Sequence, residues 1–418
     1  MKKGASDLRK HKLDSLVSCT QKYSERNRQI VSIKHALVNS DSYVLCAEIH
    51  QEAEYNGSGF TQNLGELLNV YNAYADAIVV VTDNIIFKGQ QNWMDEACIK
   101  TTKPLIALDL FVTKEQIKDI FNRGADAVIL ISAILHNEEL RTLNKYAKSL
   151  GLEVIIEVQD EYEIETALKL NPDVIGINTR NIENLGEVDL LKINKLKTLI
   201  PKDVHVIGES GIKTNYDICR HFKECRGVII GSAILESRNI TGSFRYFASK
   251  TDELPFIWVR PAAFLFPQRL RLLDKLLKEH GFLIEHSFKI QNTPKVFVEM
   301  YKNKFQQNPK EGRIFFNAMH EGLNQITLRG GNAEYSEVWF LSHCNLSILQ
   351  SYSKILDIKK ELRLQEKVPV SRIWIDKINM PVLLHAIHSS DPSISEHNRD
   401  LSVLSSFREC QQSFTDYI

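Results

Sequence analysis

The chain is poor in the features that usually betray a specialised function. Its seven cysteines (Cys19, Cys46, Cys98, Cys219, Cys225, Cys344 and Cys410) form no C-x-x-C pair, and their number is odd. Neither zinc-ligand spacing nor a disulfide framework is supported, so reduced structural thiols are expected and no metal site is assigned. No apolar run approaches the roughly 20 residues of a membrane span. The longest, Ala127–Leu135, is interrupted by Ser132. The first 30 residues are polar and lack the apolar core of a signal peptide. Lys+Arg and Asp+Glu both total 52, so there is no basic excess for general nucleic-acid binding. A soluble, cytoplasmic protein is expected, with no nucleic-acid or membrane partner.

What is present is ordinary globular material. Hydrophobic residues make up 43%, enough to exclude disorder over the whole chain. At roughly 150 residues per domain, 418 residues suggest two or three domains. Residues 1–27 read as an N-terminal arm, loosely ordered or a capping helix. Apolar runs then recur at Val44–Ile49, Ala77–Thr82, Pro104–Asp109, Asp126–Ile131, Glu153–Val158, Asp173–Asn178, Val204–Gly208 and Gly227–Gly231. The segments between them carry apolar residues at spacings of three and four, as helices do. Eight strand–helix units imply a parallel sheet covered on both faces. A (β/α)8 TIM barrel over residues 28–245 fits best, with a doubly wound sheet as the alternative.

Residues 241–255, with Gly242, Ser243, Ser249 and Pro255, read as a linker. Beyond it, residues 254–418 mix strands and helices as a small α+β domain does. Phe256–Arg260 and Phe282–Lys289 predict strands, Gln268–His280 and Pro294–Phe305 helices, and Pro381–His385 a last strand before a helix over Ser395–Phe407. Residues 340–370 read as a poorly patterned insertion. Trp258, Trp339 and Trp374 are expected in the core.

In a barrel the chemistry sits where the strands end. Side chains alternate faces along a strand, so Glu48 and His50 share a face, as do Glu157 and Gln159, and Asn178 and Arg180. Glu209-Ser210-Gly211 follows the seventh run and Gly231-Ser232 the eighth. Glycine-led loops at those two ends suit a phosphate, because bare backbone N–H groups can approach an anion closely.

These residues carry a resemblance. Ala47-Glu48-Ile49, Val81-Thr82-Asp83 with Phe87-Lys88-Gly89, Gly124-Ala125-Asp126-Ala127, Ile156-Glu157-Val158, Gly176-Ile177-Asn178-Thr179-Arg180-Asn181 and Glu209-Ser210-Gly211-Ile212 resemble indole-3-glycerol phosphate synthase. The resemblance implies a carboxy-lyase of tryptophan biosynthesis that needs no cofactor. Its substrate would be a sugar phosphate, 1-(2-carboxyphenylamino)-1-deoxyribulose 5-phosphate, closed to an indole with release of carbon dioxide and water. By position Glu157 matches the base, Glu48 and Asn178 the polar wall, and Arg180 a substrate-orienting cation. Glu209, Ser210 and Gly211 match the seventh strand end, and Gly231 and Ser232 the phosphate cradle. This chain departs from the pattern in three places. Leu108 stands where the family has its acid, a lysine. His50 replaces a second lysine, and Ala53-Glu54-Tyr55 replaces Ser-Pro-Ser. Two readings follow: a degenerate barrel, folded but catalytically weak or silent, or one in which His50, with an ordinary pKa near 6.5, takes over proton donation.

The C-terminal segment His385-x-x-His388-x-Ser390-Asp391, with Val259-Arg260-Pro261 upstream, resembles nucleoside diphosphate kinase. That resemblance implies a ferredoxin-like α+β domain and phosphotransfer through His388. It also implies nucleotide contacts at Arg260, Tyr301, Arg372 and Ser390, a nucleoside di- or triphosphate partner with Mg2+ carried on the nucleotide, and a homo-oligomer. A third reading is a non-catalytic phosphate-ligand-binding protein.

Overall fold

A computed structural model describes residues 3–16, 26–50, 64–84, 87, 89–182, 184–249, 254–259, 267–291, 335–365, 371–375, 378–382 and 387–389. The chain divides into two compact units, Met1–Glu236 with Phe247–Lys250, and Ser237–Tyr246 with Thr251–Ile418.

The first unit is a closed parallel barrel. Its strands are β1 (Val44–Ile49), β2 (Ala77–Val81), β3 (Leu105–Leu108), β4 (Ala127–Ile131), β5 (Glu153–Val158), β6 (Val174–Asn178), β7 (His205–Glu209) and β8 (Gly227–Ile230). They pair in chain order, and β8 returns to pair with β1, which excludes the doubly wound alternative. Each strand is the apolar run expected from the sequence, β1 and β5 residue for residue and the other six shortened or shifted by a residue or two. Helices such as Lys114–Asn122 and Asn137–Ser149 cover the outside. The former starts at a capping box in which Thr113 accepts from the Gln116 backbone and Gln116 reaches back.

At the bottom of the barrel Asp126 is fully buried and braces the entering chain. Its carboxylate accepts from Arg26 and Arg28, each at 2.8 Å, and from the backbone N–H of Val31 and Leu105. The Gly-Ala-Asp-Ala motif therefore serves architecture at the face away from the strand ends.

The N-terminal arm contains a helix, α1 (Lys3–Leu16). It is not loosely attached. Ala5 is fully buried, Arg9 pairs with Glu139, and the Lys12 ammonium lies 2.8 Å from Asp83 and 2.5 Å from Asp109. Those aspartates follow β2 and β3, so α1 is pinned to the C-terminal face of the barrel.

The second unit contains a four-stranded antiparallel sheet. Its strands are β9 (Phe256–Val259), β10 (Phe282–Gln291), β11 (Tyr335–His343) and β12 (Ile387–Ser389), in the order β10-β11-β9-β12. A separate hairpin joins Ser371–Ile375 to Ile378–Val382. One apolar cluster gathers Ile257, Val259, Leu276, Trp339, Leu341 and Tyr352 with residues of helices Pro267–Glu279 and Ile348–Gln365. Trp258 and Trp339 are buried, as expected of core aromatics.

Two expectations fail here. The stretch 340–370 is not an insertion but the end of β11 followed by the Ile348–Gln365 helix. Its buried Tyr352, Ile355, Ile358 and Leu362 recur every three or four residues, a stripe diluted by the lysines between. The supposed linker is the helix Ile240–Ser249. Gly242 and Ser243 read as linker signals, yet each has a packing reason. A Cβ at Gly242 would collide with the Glu285 carbonyl, and Ser243 Oγ lies 2.9 Å from His286 Nδ1. The expected elements Pro294–Phe305 and Ser395–Phe407 lie outside the described residues. Among the described residues no helix is long and apolar enough to cross a membrane.

Candidate active site

Strand register places the polar side chains. Paired residues in a parallel barrel share a face, and every second residue repeats it. Cys46 pairs with Ile229, Ile229 with Glu209, Glu209 with Asn178, and Gly176 with Glu157. Glu157 pairs with Ile131, Ile129 with Leu108, Leu108 with Val81, and Val79 with Glu48. Glu48, Leu108, Glu157, Asn178 and Glu209 therefore all face the barrel interior near the strand ends.

Glu157 is buried, and its Oε1 accepts a 2.8 Å hydrogen bond from Asn178 Nδ2. Burial pushes its carboxyl up to about 7, the Asn178 N–H pulls the other way, and Glu163 adds to the rise. Asn178 is itself fixed, because its Oδ1 accepts the Arg180 backbone N–H at 2.9 Å. Removing the Asn178 amide takes away a bond to the charged form. Asn178→Ala is therefore expected to move the Glu157 titration to higher pH, read as an upward shift of the acidic limb of any activity profile.

Glu209 lies next to this pair, buried. Burial raises its carboxyl well above the usual carboxylate range, and the charges of Glu157 and Glu48 raise it further. At the ends of β1 and β8, Glu48 Oε1 is 2.8 Å from His50 Nδ1, and His50 Nε2 is 3.4 Å from Ser232 Oγ. Gly231 makes this packing feasible, since a Cβ there would lie 2.8 Å from His50 Cε1 and 2.9 Å from Glu48 Oε1. After β7 the chain turns sharply through two left-handed residues, Ser210 at φ 66° and Gly211 at φ 71°. The Ser210 carbonyl accepts from Thr179 Oγ1 at 3.0 Å.

Glu48, His50, Glu157, Asn178, Glu209 and Ser232 thus come together at one mouth, with Gly231 beneath them and Arg180 opening a short hairpin beside it (Arg180–Asn181 with Asn184–Val188). Gln159 stays beside Glu157, and its amide hydrogen bond to that carboxyl, like that of Asn178, favours the charged form. Its side chain accepts the Ile182 backbone N–H and so props the loop after β6. The segment 53–55 lies outside the described residues. Sequence reasoning missed Lys12, Asp83 and Asp109. Two aspartates immediately after adjacent strands require a counter-charge, and that was the available signal. In the second unit the His388 backbone sits in β12 in register with Trp258, and Arg372 lies in the Ser371–Ile375 strand. Arg260, Tyr301 and Ser390 lie outside the described residues.

A closed eight-stranded parallel barrel with ionisable groups at its strand ends is a (β/α)8 barrel of the enzyme type. Residues 2–247 match the family model of indole-3-glycerol phosphate synthase. The chain belongs to that family. A Bacillus mycoides indole-3-glycerol phosphate synthase is 36% identical over 215 residues, covering 50% of this chain and 85% of the relative. A Bacillus cereus indole-3-glycerol phosphate synthase is 42% identical over 172 residues, covering 41% of this chain and 68% of the relative. The solved 3-hexulose-6-phosphate synthase of Salmonella typhimurium aligns with a TM-score of 0.41 at 17% identity, over 50% of this chain and 97% of that one.

Proposed function

We propose that the barrel is a carboxy-lyase that closes 1-(2-carboxyphenylamino)-1-deoxyribulose 5-phosphate to indole-3-glycerol phosphate, a soluble, cytoplasmic step of tryptophan biosynthesis. The observation that carries this reading is Glu157, an interior carboxyl held by Asn178 and titrating near neutrality. A base of that pKa is matched to proton removal at physiological pH. Glu48 and His50 form a second ionisable pair at the mouth, with His50 as a candidate proton donor. Arg180 supplies a cation beside Asn178 for the anilinic carboxylate. The Ser210-Gly211 turn and Gly231-Ser232 provide backbone and hydroxyl donors for the phosphate. The barrel's residues carry this chemistry without a cofactor. Mixing the purified protein with the substrate is expected to produce indole fluorescence, absent in Glu157→Gln. No turnover in folded protein would move the reading to a phosphate-ligand-binding role.

A second reading attaches to the other unit. Two strand–helix–strand halves with sheet order β10-β11-β9-β12 suit a ferredoxin-like domain of the nucleoside diphosphate kinase kind, with His388 on the edge strand. Neutral imidazole would accept a γ-phosphoryl group, with Arg260, Tyr301, Arg372 and Ser390 as nucleotide contacts and a homo-oligomer as the assembly. Mg2+ would be carried on the nucleotide's phosphates. Radiolabel from γ-labelled ATP is expected on the wild-type chain and absent from His388→Ala. Label that persists in the variant would end this reading.

A further inference from the structure

Leu108 stands where ring closure would have its proton donor, and it occupies the interior face beside the carboxylates. Resting on the carboxy-lyase reading, we propose that Glu157 and Glu209 form a carboxyl dyad sharing one proton, which serves as both the acid and the base of the reaction.

The geometry centres on Gly176. Glu157 is in register with Gly176 from the β5 side. From the β7 side the Glu209 Oε1 occupies the space a Cβ at Gly176 would take. The two carboxyls therefore flank β6, Glu157 bonded to Asn178 and Glu209 in register with Asn178 with its Oε1 over Gly176. Both are buried, at 3% and 4% exposure, and Glu209 Oε1 has no hydrogen-bond partner among the described residues. No ion pair joins either carboxyl to a cation among the described residues. The other groups acting on the pair are Glu48 and Cys46 from β1, with His50 held on Glu48, and Glu163 and Lys192 at longer range on Glu157. Two adjacent buried carboxyls do not both ionise near neutrality, so one retains its proton, as in other carboxyl dyads. The upward shifts of both groups agree with this.

The chemistry balances. The aryl carbon bearing the carboxylate bonds to the ketone carbon. The ketone oxygen takes the dyad's proton, and the C–CO2 bond breaks, returning its electron pair to the ring and releasing carbon dioxide. Solvent returns one proton to the dyad. The new hydroxyl then leaves as water with that proton while the dyad's ionised carboxylate removes a proton from the adjacent CH2 carbon. Two protons leave the dyad and two return, one from solvent and one from the CH2 carbon, so the reaction consumes one solvent proton, matching the charge lost with the carboxylate.

The structure favours the dyad over His50 as the acid, because His50 is engaged with Glu48 and Ser232 at the ends of β1 and β8 while the two carboxyls flank Asn178. The test has two arms. Infrared difference spectra with carbon-13-labelled glutamate should show a protonated carboxyl in the resting wild-type protein at neutral pH, lost in Glu209→Gln. This arm needs no turnover. In the second arm Glu209→Gln, folded by circular dichroism, should lose at least tenfold in kcat with little change in KM. Its acidic limb should also move to lower pH, because Glu157 no longer faces a competing carboxylate. His50→Asn should raise KM and leave the acidic limb in place. An absent protonated carboxyl, or Glu209→Gln with unchanged kcat and pH profile, overturns the dyad. So does a kcat loss confined to His50→Asn, which would make the imidazole the acid. A protonated carboxyl without any turnover in the wild type sinks the lyase reading, and the dyad's catalytic use with it, while leaving the shared proton standing.

Discussion

Glu157→Gln is expected to lower turnover by about 10²–10⁴-fold, the usual worth of a positioned acid–base group. The substitution is nearly isosteric, so the Asn178 contact and the barrel core should survive and circular dichroism should not change. Glutamine cannot accept a proton at any working pH. The wild-type rate is expected to rise with pH on a limb near 7, where the buried carboxyl ionises. The residual rate of the variant should lack that limb. A variant that retained both rate and limb would remove Glu157 from the mechanism.

The largest expected loss of stability comes from Lys12→Met, at about 3–5 kcal/mol, the cost of breaking a buried pair from one side. Lys12 is 4% exposed between two buried aspartates. Burial opposes its charge, but Asp109 and Asp83 outweigh burial and raise its pKa above the ordinary 10.5. Its contribution is therefore complete below that value and lost only as pH rises through the higher folded value. Burial raises Asp109 above 3.8, with Lys12 opposing the rise. Asp109 thus resists folding once ionised, and more so without its cation. The deficit of Lys12→Met should be greatest near neutral pH and shrink as acid returns protons to the aspartates. Denaturant midpoints measured across that range test this. Adding Asp83→Asn and Asp109→Asn to the variant should recover part of the loss, because no unpaired charge then stays buried.

Much of the barrel could be read from the chain. Eight apolar runs are what a parallel sheet buried on both faces requires, and period-two alternation at their ends paired Glu48 with His50, Glu157 with Gln159 and Asn178 with Arg180, while the inter-strand register brings the three pairs to one face. What stayed hidden depends on contacts between residues far apart. Nothing local marks Gly176 as the opening that seats Glu209, because only the register of β5, β6 and β7 creates it. Lys12 looks like any solvated lysine until Asp83 and Asp109 close around it. The helix Ile240–Ser249 was obscured for a related reason. Gly242 carries the mark of a flexible joint, but its missing side chain lets a neighbouring carbonyl approach closely.

The anchoring of α1 also separates the order of synthesis from the order of assembly. Lys12 leaves the ribosome first, yet its partner Asp83 lies 71 positions further along. A 14-residue helix with no acidic residue in its first turn is marginal by itself in water. It gains its place only after β2 and β3 exist to hold the two aspartates. α1 therefore docks later than it is made, and Asp83 and Asp109 wait for their counter-charge until it does.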